Sequence, residues 1–112
     1  MVKFLTDPLD RTFGALADPT RRAILARLLR HGSQSASELA RPFDVSLVAV
    51  MKHINVLADA GLIRRRKIGR TVHCHLRPAP MRNAIAWLER NEKFWSERLD
   101  ALAAYVEAQE DT

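Results

Sequence analysis

A single cysteine, Cys74, stands among 112 residues, so no intramolecular disulfide can form and a reducing cytoplasm is the simplest home. Long hydrophobic runs are missing too. No segment approaches the roughly 18 apolar residues of a membrane span, and residues 1–10, MVKFLTDPLD, lack the apolar h-region of a secretory signal. A cytoplasmic protein with no membrane partner is expected. The chain has no Gly-rich phosphate loop, no HExxH, and no Ser or Cys nucleophile with a base close by in the sequence, so it is expected not to be an enzyme and to carry no cofactor. Repeats, low-complexity tracts and interdomain linkers are absent as well, and the length suits one domain, 1–112, around one modest core.

What the chain does have is positive charge, unevenly placed. Eighteen Lys and Arg against thirteen Asp and Glu give a net charge of +5. Residues 46–77 hold seven of the cations (Lys52, Arg64, Arg65, Arg66, Lys67, Arg70 and Arg77) against one anion, Asp59, whereas residues 78–112 are net acidic. A footprint of that kind suits a polyanion, whose condensed counterions are released on binding.

The same stretch has a readable architecture. Ser46 is a good N-cap and Gly61 a good stop for a helix between them. Val50, Ile54 and Leu57 recur at helical spacing as a stripe to be buried, and Leu47, Val48, Met51, Lys52 and Asn55 occupy the opposite face. Residues 62–77, LIRRRKIGRTVHCHLR, read as strand, Gly-containing turn and strand. A capped helix followed at once by a basic hairpin is a recognition helix with a wing. The chain is therefore read as a DNA binder, mostly helical with a small β-hairpin wing, in the order α-α-α-α-β-β-α.

Upstream, residues 1–8 read as a short arm, and Leu9, Phe13 and Leu16 share one face of a first helix ending near Ala17. Asp18 and Pro19 open a second helix, with Ile24, Leu25, Leu28 and Leu29 as its buried side and Gly32 as its end. Ser35 and Glu38 form a capping box for a short third helix, which Pro42 breaks. Helix, tight turn and helix make the helix-turn-helix unit. Downstream, Met81, Ile85, Leu88, Trp95, Leu99, Leu102 and Val106 follow a 4-3 alternation along a long last helix, interrupted only by Glu92. Ala84, Trp87, Phe94, Ala101 and Tyr105 widen that face. It is more apolar surface than one protomer of this size covers, so pairing with a second copy is expected, helped by the first helix. The other reading is a helix folded back over its own core.

LADPTRRAILARLL, then SELA, then VSLVAVMKHINVLADAGLIRRRKIGRTVHCHL resembles the ArsR/SmtB-type winged helix-turn-helix repressors. The likeness spans about residues 9–77, the DNA-binding core and wing, with residues 79–109 in the place of that family's dimerisation helix. It rests on Asp18-Pro19-Thr20-Arg21-Arg22, Lys52-His53-Ile54, Ala60-Gly61-Leu62-Ile63 and Gly69-Arg70, in that order. The resemblance implies a homodimer that binds double-stranded DNA at a palindromic operator, usually as a repressor on the nucleoid, until a small-molecule or protein effector releases it. By position, Ser46, Leu47, Val48, Met51, Lys52 and Asn55 would face the major groove. His53 would sit at the edge of the core near a phosphate, and Arg66, Lys67 and Arg70 would lie on the wing near the backbone. Leu9, Phe13, Leu88, Trp95, Leu99, Leu102 and Val106 would form the dimer contact.

Two departures bear on the signal. Metal-sensing members carry cysteines in the recognition unit or His, Asp and Glu ligands on the last helix. Here SELARPFDV has no cysteine and the last helix no histidine, so metal sensing at the usual sites is not carried over. Asn55 also stands where a cation is more usual. His73-Cys74-His75 is metal-like in composition only, because strand alternation puts the thiol on the face away from both imidazoles. Trp87, Phe94, Trp95 and Tyr105 could line a small-molecule pocket, but their helical spacing favours core or dimer interface. The competing functional reading is a protein-protein interaction module with only non-specific affinity for DNA.

Overall fold

The first four described helices each start where a side chain satisfies an otherwise unpaired amide. In the computed structural model, which describes residues 7–111, α1 (Pro8–Leu16) is capped by Asp7, whose carboxylate accepts the Leu9 amide at 2.8 Å. The expected arm at 1–8 lies almost wholly outside the described residues. Asp18 caps α2 (Pro19–His31), accepting the Arg21 amide at 3.0 Å. The chain leaves α2 at Gly32, whose φ of +77° only glycine holds without strain. The capping box forms as read. Ser35 accepts the Glu38 amide at 3.1 Å, Glu38 accepts the Ser35 amide at 3.2 Å, and α3 (Ala36–Ala40) follows. Ser46 accepts the Ala49 amide at 3.1 Å to open α4 (Leu47–Asp59), which ends at Ala60 with Gly61 left-handed behind it.

The hairpin and the last helix complete the expected order. Two strands, Ile63–Ile68 and Thr71–Leu76, turn at Gly69-Arg70 and pair antiparallel, with Arg65 opposite Cys74. A two-residue strand that sequence reading did not find, β1 (Gln34–Ser35), pairs with the far edge of the second hairpin strand and puts Ser35 opposite His73. The sheet order is β1-β3-β2, so the hairpin strands are β2 and β3. The last helix, α5, runs from Pro78 to Glu110, 33 residues, or about 50 Å at 1.5 Å per residue.

The core lies between α2, α4 and the inner face of the sheet. Ile24, Leu25 and Leu28 meet Leu39, the whole predicted stripe of α4 (Val50, Ile54 and Leu57), Leu62, Ile63 and Cys74. Leu29 does not join them: it is 79% exposed. It sits on the rim of a shallow apolar depression with Leu25, Leu76, Pro78 and Met81, where no element crosses to cover it. In α1 the buried residues are Thr12 and Ala15, while Leu9, Phe13 and Leu16 are half-buried. Thr12 resolves its burial by donating to the Pro8 carbonyl at 3.0 Å. The Phe13 ring meets Trp87 of α5 edge-on at 5.9 Å between centroids and ties the two helices together. Along α5 only Ala84 is buried, so this helix does not fold back over the core. The molecule is accordingly elongated, 67 × 29 × 29 Å.

Candidate nucleic-acid interface

With Val50, Ile54 and Leu57 turned into the core, α4 presents Leu47, Val48, Lys52 and Asn55 to solvent, and Val48 is 67% exposed. The Ser46 cap stands at the exposed start of this face. Two residues of the expected set sit differently. Met51 is half-buried and packs on the core, so it supports the face from behind. His53 lies about 160° round the helix from Asn55, on the flank that meets α2. There the Arg21 Nη1 approaches His53 Nδ1 at 3.4 Å, and the Asp18 carboxylate lies 3.8 Å from the same nitrogen, beyond hydrogen-bond reach.

Arg21 and Arg22 do more than sequence reading assigned to them. Arg21 Nε donates to the Ala15 carbonyl at 2.7 Å and Nη2 to the Gly14 carbonyl at 3.2 Å, while Arg22 donates to the Leu16 carbonyl at 2.7 Å. Both guanidiniums thus cap the negative C-terminal end of α1. Arg21 also reaches α4 through His53, so one side chain fixes the relative placement of α1, α2 and the recognition helix. The signal available in sequence was the adjacency of two arginines just after a helix end.

The wing meets α4 through Arg65, whose Nη1 donates to the Asn55 carbonyl oxygen. Arg65 opposes Cys74 on the inner face, so the register of β2 against β3 selects it from the RRRK run. The contact occupies half of the Asn55 amide. Pairing with adenine through both amide atoms needs the carbonyl as well as the NH2, and Arg65 already holds the carbonyl. Arg66, Lys67 and Arg70 are exposed on the hairpin towards its tip. Cys74 is fully buried in the sheet, and burial pushes its thiol pKa up, with nearby Arg65 pulling in the opposite sense. A thiol in that setting has little thiolate character. Among the described residues, no three His, Cys, Asp or Glu side chains gather as a metal site, and no helix is long and apolar enough to cross a membrane.

On α5, Leu88, Trp95, Leu99, Leu102 and Val106 are exposed along the length of the helix, as are Phe94 and Tyr105. Trp87 differs from the other aromatics. It is half-buried against Phe13 and lines a cleft of about 410 Å³ between α1 and α5 with Thr12, Asn83 and Arg90.

This arrangement has known counterparts. A crystal structure of an ArsR family transcriptional regulator superposes with a TM-score of 0.75 at 47% sequence identity, covering 80% of this chain and 98% of that one. A helix-turn-helix domain family matches residues 16–66. The HTH-type transcriptional regulator Rv2034 of Mycobacterium tuberculosis is 38% identical over 102 residues, 91% of this chain and 92% of its own length. The chain belongs to the ArsR family. The chain is also similar to the transcriptional repressor SdpR of Bacillus subtilis, 31% identical across 71% of this chain and 88% of that protein. As an ArsR-family member the chain is a transcriptional regulator with a winged helix-turn-helix DNA-binding domain, as the residues and their resemblance led one to expect.

Proposed function

We propose that this ArsR-family chain is a homodimeric repressor of a palindromic operator. The observation that carries the reading is the joint exposure of Leu47, Val48, Lys52 and Asn55 on one side of α4, beside wing cations that face solvent. Ser46 and these four residues enter the major groove. Lys52 supplies the charged contact to a base edge, and Leu47 and Val48 supply apolar contact to thymine methyls. Arg66, Lys67 and Arg70 hold phosphates, Met51 backs the reading face, and His53 fixes its angle to α2. Base contacts of this kind are few, so phosphates and DNA shape carry much of the affinity. The apolar row of α5, with Leu9 and Phe13 of α1 beside it, joins two copies so that two α4 helices address half-sites about 34–36 Å apart. The releasing effector is a small molecule or protein and not a metal at the usual family sites. That part rests on the cysteine-free SELARPFDV, the histidine-free α5 and the burial of Cys74.

The test is an anisotropy titration against duplex from the chain's own upstream region and against a scrambled duplex, over a salt series, with zinc or a chelator in parallel. Tighter binding to the native duplex, unchanged by zinc or chelator, is expected. Equal, weak and steeply salt-dependent binding to both would overturn operator recognition and favour a protein-interaction module. Release by zinc would overturn the metal-independent signal.

A further inference from the structure

The hairpin has a second cationic face. With Ile63, Arg65 and Cys74 turned inward, alternation puts Arg64 and Arg66 outward, and the register sets Arg64 opposite His75 and Arg66 opposite His73. Arg77 follows β3 and closes the base of this face, fixed by its amide donating to the Leu62 carbonyl at 2.9 Å. Arg64, Arg66, His75 and Arg77 are all exposed, and with Arg65 and Leu76 they line an open cleft of about 670 Å³. Among the described residues, no carboxylate pairs with the Arg64, Arg66 or Arg77 guanidinium. Helix α5 begins at Arg77 without a side-chain cap, so the positive end of its dipole adds to the same field.

Three guanidiniums gathered without an acid repel one another, and only solvent screening moderates that cost. A polyanion turns the repulsion into attraction. We propose that this outer face of the wing is a second DNA-contact surface, which grips the phosphate backbone of duplex beyond the stretch read by α4. The proposal rests on the reading of α4 and the wing tip as the operator-binding unit. Duplex is the occupant the geometry favours, because Arg66 belongs both to the cleft and to the tip cations, making one basic surface from the groove site round to the wing base. The guanidinium fork suits phosphate oxygens and needs no particular base sequence. Arg65 bridges to Asn55 from the inner side of the hairpin, so the base of the outer face, at Arg64 and Arg77, is turned away from the phosphates that flank α4. It meets DNA that continues past the wing or bends round it.

The experiment starts from an operator selected with the full chain out of random duplexes and trimmed to the shortest duplex still bound specifically. It is compared with the same duplex extended at each end by about ten base pairs, one helical turn. The wild type should gain about tenfold in affinity on extension at low salt. Arg64→Gln/Arg77→Gln should lose that gain while binding the minimal duplex as the wild type does, and its log affinity–log salt slope on the extended duplex should fall by about 2–4. If the double variant melts below the wild type, the single variants are read instead, each losing part of the gain. No gain on extension for the wild type, a gain retained by the variants, or equal loss on both duplexes would overturn the proposal. A change in self-association in place of flank binding would also overturn it, and would point to the acidic end of α5 in a second copy. Lys52→Ala, measured alongside, tests the groove reading separately, since it should weaken the minimal duplex whatever the flanks do.

Discussion

Asp18 shows how one side chain serves both the helix and the interface. Its carboxylate accepts the Arg21 amide at 3.0 Å and lies beside His53 of the recognition helix. The backbone hydrogen bond from Arg21 is the main reason its pKa falls below the ordinary carboxylate value, with His53 and Arg21 charge adding to it and partial desolvation opposing it. Glu38 is lowered in the same sense by the Ser35 amide and hydroxyl. With a folded pKa below the unfolded one, the unfolded chain takes up the proton first on acidification. The stabilisation is therefore complete above about pH 4, the ordinary carboxylate range, and is lost as pH falls through the lowered folded value. Asp18→Asn keeps a good capping side chain but removes the charge. Its melting temperature should lie below the wild type's at pH 7, and the two should converge towards pH 3. A difference of constant size from pH 7 to pH 3, followed by circular dichroism, would show that the charge contributes nothing.

At the scale of elements, the recognition helix and the wing should divide specificity from general affinity. Lys52 stands on the exposed face of α4 and Arg70 at the tip of the hairpin. Lys52→Ala should cost operator binding roughly tenfold or more, in keeping with about 1–3 kcal/mol for a good base contact, and leave scrambled duplex nearly unaffected. Arg70→Ala should weaken both duplexes alike and lower the salt slope by about 1 per phosphate lost. Parallel losses for the two variants in anisotropy titrations would remove that division. These elements were legible because their signals are local: Ser46, the Ser35–Glu38 box and Asp18-Pro19 each announce a helix start within four residues. Strand β1 was not legible, since two residues have no period and exist as a strand only because β3 offers a free edge. Nor could the RRRK run declare which arginine reaches Asn55, because a register between two strands makes that choice. Leu29 was over-read because helical spacing shows which residues share a face and not where the covering element stops.

The whole molecule is a winged body with an exposed lever. Its core is closed by α2, α4 and the sheet, whereas α5 leaves Leu88, Trp95, Leu99, Leu102 and Val106 in water along about 50 Å of helix. Covering a large aliphatic side chain contributes about 1.5–3 kcal/mol, so the row is a strong drive towards association with a matching surface. A second copy offers the same row, and a two-fold pair is the commonest closed arrangement. The charge pattern agrees with pairing between unlike ends. Arg77, Arg82 and Arg90 lie in the first half of α5 and its approach, while Asp100, Glu107, Glu110 and Asp111 lie towards its end, so helices running in opposite directions place basic beside acidic segments. Leu99→Glu puts a charge in the middle of the row without touching the core. The variant should fold with an unchanged far-ultraviolet spectrum yet sediment as a monomer, whereas the wild type is expected to sediment as a dimer. On a palindromic duplex it should lose about 10²-fold or more in affinity, because the second half-site is no longer engaged by a linked partner, while a half-site duplex should be held as before. A variant that remains dimeric, or a monomer that keeps full affinity for the palindrome, would sever the link between α5 and operator recognition. Loss on the palindrome alone would show that the exposed row sets affinity by holding two reading heads at a fixed distance.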